Sequence, residues 1–222
     1  MSTSHRLDYT GEGLSEDAVT ATPWRQARAW VDEAVSRHEA RGDVTEPTMF
    51  TVATVSAEGM PSIRPVLMRI FDERGPGFYS HLGSRKAIDL AANSQIAASF
   101  IWPALFRCIH FRGVAHRAGH DEVAAYWSAR PYGAQISAVA SHQSRPIADR
   151  AALEAEFASA AGRFPQGEPV PLPDDFVGWR IECREVEFWE GRSDRLHDRI
   201  AFVRTAPGTL DDPVWRRVRL QP

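Results

Sequence analysis

The sequence predicts a mainly β domain of the α+β class, an antiparallel barrel with a few peripheral helices. Three observations carry that prediction. Apolar and β-branched runs of strand length recur between turn signals, from MFTVATV to RIAFVR. Stretches of helical period interrupt them without alternating regularly with them, so a parallel βαβ sheet is not indicated. The chain of 222 residues, 43% hydrophobic and 25% charged, is large enough for one sizeable core.

Residues 1–21 hold few apolar side chains among Ser, Thr, Gly and Glu, and are expected to form a mobile arm that orders over a ligand or partner. Residues 22–222 are expected to form a single domain. Thr22-Pro23 is a helix start, and Trp24, Ala27, Trp30, Val31, Ala34 and Val35 recur at helical spacing up to Gly42. From Met49 the texture is β: MFTVATV, a turn at Ser56–Gly59, SIRPVLMRIF, a turn around Glu73–Gly77, then FYSH. GSRKAIDLAANS reads as a short helix, and QIAASFIW and FRCIHFRGVAHR continue the sheet. HDEVAAYWSARP is a second helix, stopped at Pro131. ADRAALEAEFASAAGRF is a third, with Leu153 and Phe157 on one face. After the proline-rich connection PQGEPVPLPDD, the stretches VGWRIECREVEFWEG, RLHDRIAFVR and WRRVRLQP return to strands.

A net charge of -3 gives no global attraction to nucleic acid or to an anionic membrane, so basic clusters are local anion sites and the partner is small. No run has the roughly 18 apolar residues of a membrane span, and Met1 to Thr22 lacks a secretory core, so the cytoplasm is expected. Cys108 and Cys183 have no metal-ligand or disulfide spacing and are expected to be buried thiols.

Three basic clusters carry the chemistry. In HLGSRKA a Ser and adjacent Arg85 and Lys86 stand at a helix start, where backbone N–H groups, a hydroxyl and two cations suit a phosphate dianion. A solvated basic helix start has the same sequence, but Arg64 in a β segment and Gln143-Ser144 in SHQSRP add donors of the same kind. In the second cluster, RLHDR after Trp189, an extended chain puts Arg195, His197 and Arg199 on one face; an exposed edge-strand face has the same pattern. Tyr126 and Arg130 stand at i, i+4 on a helix, an arrangement that suits a phosphoester and equally an aromatic packed on an arginine stem. Nothing in these clusters supports a metal site or a nucleophilic triad.

Taken in order, EPT, VATV, R-x-VL, FY with HLGSRKA, Y-x-x-x-RP, S-x-QS, EFW and RLHDR make the chain resemble the pyridoxine/pyridoxamine 5′-phosphate oxidase family, from Glu46-Pro47 to the terminal Arg219-Leu220-Gln221-Pro222. The resemblance implies an FMN-binding split β-barrel homodimer with both flavins at the subunit interface. It implies an oxidase that converts pyridoxamine or pyridoxine 5′-phosphate to pyridoxal 5′-phosphate with O2, releasing hydrogen peroxide. The implied contacts to the flavin phosphate are Arg64, Arg85, Lys86, Gln143 and Ser144, with Val66, Leu67 and Arg69 on the same strand. Tyr79, Ser80, Trp189 and Arg199 match positions lining the flavin ring and ribityl chain, and Cys108 takes a flavin-facing position. Tyr126 and Arg130, with Arg69 and Ala134, match the grip on the substrate phosphate. Arg195 and His197 match the catalytic pair set over the substrate ring, Arg195 steering the reacting carbon towards flavin N5. Arg6 and Tyr9 resemble an Arg-x-x-Tyr in the family's arm that folds over the substrate.

Four residues, at three places, depart from the family pattern. Arg69 replaces a lysine, RPYGAQ places Tyr132 for an arginine and Ala134 for a phosphate-binding serine, and Cys108 replaces a flavin-facing glutamine. The cofactor phosphate site is left nearly whole and the substrate phosphate site is thinned. Two alternatives therefore stand beside the leading reading: a related FMN oxidase acting on another ring, of the phenazine type, and a non-catalytic flavin- or haem-binding split barrel. Retention of Arg195 and His197 favours turnover.

Overall fold

The computed structural model describes residues 8–222. Helix α1 (Pro23–Arg41) forms where its signals stand. Thr22 accepts a hydrogen bond from the Arg25 backbone N–H, Pro23 opens the first turn, and Gly42 ends the helix in the left-handed region at φ 71°. Strands β1 (Met49–Val55), β2 (Pro61–Leu67), β3 (Ile70–Asp72) and β4 (Gly75–His81) follow, then α2 (Arg85–Ala92), β5 (Gln95–Trp102) and β6 (Arg107–Arg117). Helices α3 (His120–Ser128), α4 (Tyr132–Ala140) and α5 (Arg150–Arg163) precede β7 (Phe176–Glu190), β8 (Asp198–Arg204) and β9 (Trp215–Arg219).

The strands pair antiparallel in the order β2-β1-β5-β6-β7-β4-β3, with β8 on β7 and β9 on β8. The two ends of that order, β2 and β3, are consecutive in the chain. Between them the Met68 N–H donates to the Thr48 carbonyl (2.8 Å) and the Arg69 N–H to the Gly77 carbonyl (3.0 Å). A sheet whose first and last strands join across two residues must curl, and the result is a split barrel. Long β7 carries β4 along its first half and β8 along its second, so β8 and β9 diverge at one end.

The inward residues alternate with outward ones and fill the barrel. Phe50, Phe78, Phe100, Phe111, Phe188 and Phe202 are fully buried among Ile109, Ile181 and Ile200. A second cluster, with Val123, Trp127, Ile136, Ala160 and Phe176, sits where α3, α4 and α5 meet the start of β7. The Trp127 indole N–H donates there to the Val170 carbonyl (2.8 Å).

Several expectations are corrected. SIRPVLMRIF is not one strand: it breaks at Met68-Arg69 because each half has a different pairing partner. The turn before FYSH is confined to Glu73-Arg74, and Gly75 to Gly77 already belong to β4. At Gly75, φ is +129° and a Cβ would stand 2.0 Å from the Ile181 carbonyl oxygen. Leu153 and Phe157 share a face of α5, but both stay 38% exposed, and the residue buried is Ala160. Cys183 is buried as expected, whereas Cys108 is only half-buried. Residues 8–21 lie docked on the barrel. Leu14 and Val19 are buried, the Leu14 N–H donates to Asp198 (3.0 Å), and Glu16 pairs with Arg219 (2.6 Å).

Candidate active site

One cavity of about 770 Å3 opens between β2, β4, α2 and the α3–α4 corner. It gathers Arg64, Val66, Leu67, Arg69, Tyr79, Ser80, Lys86, Tyr126, Arg130, Ala134 and Gln143, residues from segments far apart in sequence. Helix α4 accounts for part of this convergence. Residues 132–140 carry no helix signal in the sequence pattern, where Gly133 and β-branched Ile136 and Val139 obscure a short helix. As a helix it turns Ala134, Ser137, Ala138 and Ser141 towards the cavity at i, i+3, i+4, i+7 spacing.

At one end stands a cationic group built on the α2 N-terminus. Ser84 caps that helix by accepting from the Ala87 N–H and lies 2.9 Å from the Ser80 hydroxyl. The Lys86 ammonium is buried and donates to Gln143 Oε1 (2.8 Å) and Ser80 Oγ (3.2 Å), both neutral. Burial, then the neighbouring Arg64 cation, pushes its pKa down to about 8. Arg64 donates to Thr54 Oγ1 (2.7 Å) and stands 3.8 Å from buried Asp89; burial pushes its pKa down too. Arg85 pairs with Asp89 at 3.0 Å, more than half exposed and outside the cavity wall. Three cations against the one Asp89 carboxylate leave two positive charges in surplus, which fits a phosphate dianion. Ser144 is exposed at φ +74° and also lies outside the wall.

The second group lies towards the α3–α4 corner. Arg130 donates to the Tyr126 hydroxyl (3.1 Å) and the Ala134 carbonyl (2.8 Å), and its buried Nε has no partner. The contact survives although α3 ends at Ser128, because the turn at Pro131 folds Arg130 back over Tyr126 and Phe176. Tyr79 stacks on Tyr126, ring centroids 3.8 Å apart, and burial followed by Glu122 and Tyr126 raises its phenol to about 12. Gly178 permits this stack: a Cβ there would stand 3.1 Å from the Tyr79 ring. Exposed Arg69 completes the wall.

The remaining expected residues gather elsewhere. Trp189, paired with Cys108 and Arg199 across β6, β7 and β8, lies thirteen residues along β7 from Phe176 in the cavity wall. That is roughly 40 Å of extended chain, so a small ligand in the cavity does not reach both groups of one chain. His197 packs on Trp189 (4.7 Å) and Tyr9 (5.5 Å), and its Nδ1 accepts from the Arg192 N–H (3.1 Å). RLHDR is not extended throughout. Asp194 and Arg195 take left-handed conformations at φ 56° and 63°, and β8 begins only at Asp198, so the predicted common face of Arg195, His197 and Arg199 is broken by this turn. Arg195 is exposed. Arg199 donates to buried Glu187 (2.7 Å) and to the Gln221 carbonyl (2.9 Å). Burial, then Glu187, pushes the Cys108 thiol up to about 11. Arg6 lies outside the described residues.

Sequence reasoning missed Asp89, His81, Ser137, Ser141 and Phe176. The i, i+4 spacing of Arg85 and Asp89 was a usable signal for the first. His81 and Ser141 open the HLGSRKA and S-x-QS motifs without a role being read for them, and no pattern marked Ser137 or Phe176, whose positions depend on α4 and on the β4–β7 register.

The fold and the cavity define a split-barrel protein with a cation-lined pocket. Comparison with known proteins makes this specific. The family model described as "Pyridoxamine 5′-phosphate oxidase" matches residues 36–163, and that described as "Pyridoxine 5′-phosphate oxidase C-terminal dimerisation region" matches residues 176–222. Proteins named pyridoxine/pyridoxamine 5′-phosphate oxidase from Rubrobacter xylanophilus and Streptomyces avermitilis are 42% and 43% identical, over 98% of this chain and 94% of each of theirs. The structure of PhzG from Burkholderia lata in complex with tetrahydrophenazine-1-carboxylic acid is similar at TM-score 0.82 and 30% identity, covering 96% of this chain and 99% of that one. The chain belongs to the pyridoxamine 5′-phosphate oxidase family, and it is an oxidase-like oxidoreductase of that family.

Proposed function

We propose that this chain is an FMN-dependent oxidase converting pyridoxamine or pyridoxine 5′-phosphate to pyridoxal 5′-phosphate with O2 and releasing hydrogen peroxide, the amine also taking up water and releasing ammonia. The observation that carries the reading is one cavity lined by four cations, Arg64 and Lys86 at the α2 end, Arg130 against Tyr126 at the α3–α4 corner, and Arg69. Two anion subsites suit a phosphorylated cofactor beside a phosphorylated substrate. The names of the relatives from Rubrobacter and Streptomyces support the same reaction.

The working unit in this reading is a homodimer. Ile63, Ile101, Met49 and Leu67 stand exposed on the outer face of neighbouring β2, β1 and β5, an apolar strip that a second copy would cover. The match to a dimerisation region over residues 176–222 covers the strands that carry Trp189 and Arg199 and the turn that carries Arg195 and His197. A dimer would bring Arg195 and His197 of the partner subunit over the cavity, resolving the separation along β7.

Arg64, Lys86, Ser80 and Gln143 would hold the FMN phosphate, with Arg85 reinforcing the charge. The bound flavin supplies the hydride acceptor and the route of electrons to oxygen. Arg69, Arg130 and Tyr126 hold the substrate phosphate, and Arg195 and His197 orient the reacting carbon. Tyr9 against His197 places the arm beside that second cluster. No helix among the described residues is long and apolar enough to cross a membrane, and the cytoplasm is the proposed compartment.

A second reading, an FMN oxidase of a phenazine-type ring, is favoured by the Ala134 methyl in the cavity, by Cys108 and by the likeness to PhzG. The test incubates FMN-loaded protein in air with pyridoxamine 5′-phosphate, its dephosphorylated form and a reduced phenazine carboxylate. Aldehyde and peroxide in equal amounts from the phosphorylated amine support the leading reading. Turnover of the phenazine alone supports the second, and no turnover with either indicates a binding protein.

A further inference from the structure

His81 opens the HLGSRKA motif, yet the proposed reaction gives it no role. It ends β4, is 6% exposed, and lines the cavity. Its ring is fixed on two sides. Phe176, its register partner on β7, meets it edge to face at 5.4 Å, and Nδ1 lies 3.2 Å from Asp175 Oδ2. Asp175 is itself fixed, its carbonyl accepting from the Leu82 N–H (2.8 Å). A carboxylate is an acceptor, so in the neutral ring the proton sits on Nδ1 and Nε2 carries a lone pair. Nε2 has no protein partner among the described residues and is not sealed off.

Apart from the rotatable hydroxyls of Tyr79, Ser80, Tyr126, Ser137 and Ser141, the other polar groups of the wall offer no free acceptor. Arg64, Arg69, Lys86 and Arg130 are donors only. Gln143 Oε1 already accepts from Lys86 and Ser80. A phosphate supplies acceptors for the cations and, as a dianion, offers no proton to Nε2. The complement of an oriented acceptor beside an anion subsite is a hydroxyl on the same ligand.

We propose that His81 is a ligand-contacting residue whose Nε2 accepts a hydrogen bond from a hydroxyl of the polyol chain joining the flavin ring to its phosphate, with Asp175 as its positioning residue. The assignment rests on the cavity being the flavin site. It makes the cavity selective for a hydroxylated linker as well as for its phosphate.

The test measures dissociation constants of FMN, riboflavin and lumiflavin, which has no polyol chain, by quenching of flavin fluorescence. His81→Phe keeps a ring against Phe176 and removes the acceptor. It should weaken FMN and riboflavin alike by about three- to tenfold and leave lumiflavin unchanged. His81→Gln, whose amide reaches the position of Nε2, should recover most of the loss. Asp175→Asn, at an exposed side chain, should give a smaller loss with the same ligand pattern and serves should His81→Phe fold poorly. An equal loss for all three flavins, a loss confined to FMN, or no loss would overturn the assignment. If the unaltered protein bound no flavin, the underlying reading would fall and His81's role with it; if it bound FMN normally while the variants were indifferent, only the role of His81 would fall.

Discussion

Lys86 makes FMN affinity depend on pH in a way that follows from its surroundings. The ammonium is buried with only neutral oxygens as partners, and burial, then Arg64, holds its pKa near 8 in the ligand-free protein. A phosphate dianion binds the protonated form and restores its charge. With that pKa, about nine-tenths of the ligand-free protein is protonated at pH 7 and about one-tenth at pH 9. FMN affinity should therefore fall about tenfold across that interval at constant ionic strength. Riboflavin, without the phosphate, should show no such slope, and Lys86→Met should abolish it for FMN while weakening binding at pH 7. Fluorescence titrations at several pH values measure all three. An equal slope in Lys86→Met, or in riboflavin, would refute the argument, because the titrating group would then be another one.

The same burial costs stability before a ligand arrives. The folded pKa lies below the unfolded value, so between about pH 8 and 10.5 the unfolded chain binds more protons, and stability from this group rises with pH through that window. Below pH 8 the full cost, about 3 kcal/mol, is present, and Lys86→Met should raise the Tm of flavin-free protein at pH 7. Arg64→Ala should weaken FMN about ten- to a hundredfold and riboflavin far less, read by equilibrium dialysis. Arg195→Ala should keep its FMN and lose turnover, with part of the loss in kcat. Glu16→Gln should free the docked arm to proteolysis within residues 8–21. The Arg219 hydrogen bond holds the Glu16 carboxylate down to about 2, so its contribution is full above the ordinary value of 4.5 and is lost progressively as pH falls from there to about 2.

The legible parts of the fold were those governed by local chemistry. Thr22-Pro23 and Gly42 bounded α1 because caps and proline act within one turn. The alternation in MFTVATV and QIAASFIW gave β1 and β5 for the same reason. The break at Met68-Arg69 was illegible, since it is imposed by pairing partners far apart in sequence. Helix α4 was hidden by poor local propensity and is held by packing of Ile136, Ala138 and Ala140. In the site, the motifs located Arg64, Lys86, Tyr126 and Arg130, which converge in one cavity. The left-handed turn at Asp194 and Arg195 and the pairing of His81 with Asp175 depend on backbone placement that no spacing encodes.

Assembly of each catalytic site from two chains is tested most directly by mixing two inactive variants. Arg130→Ala lacks the cavity's substrate cation, and Arg195→Ala lacks the residue proposed to come from the partner subunit. Each should be nearly inactive alone. Unfolded together and refolded as a mixture, half of the dimers are mixed, and each mixed dimer holds one site with both arginines intact. Activity should return to about a quarter of that of the unaltered protein. Persistent inactivity of the refolded mixture, with unaltered protein recovering fully in parallel, would contradict the shared site and place both arginines in the same chain's half.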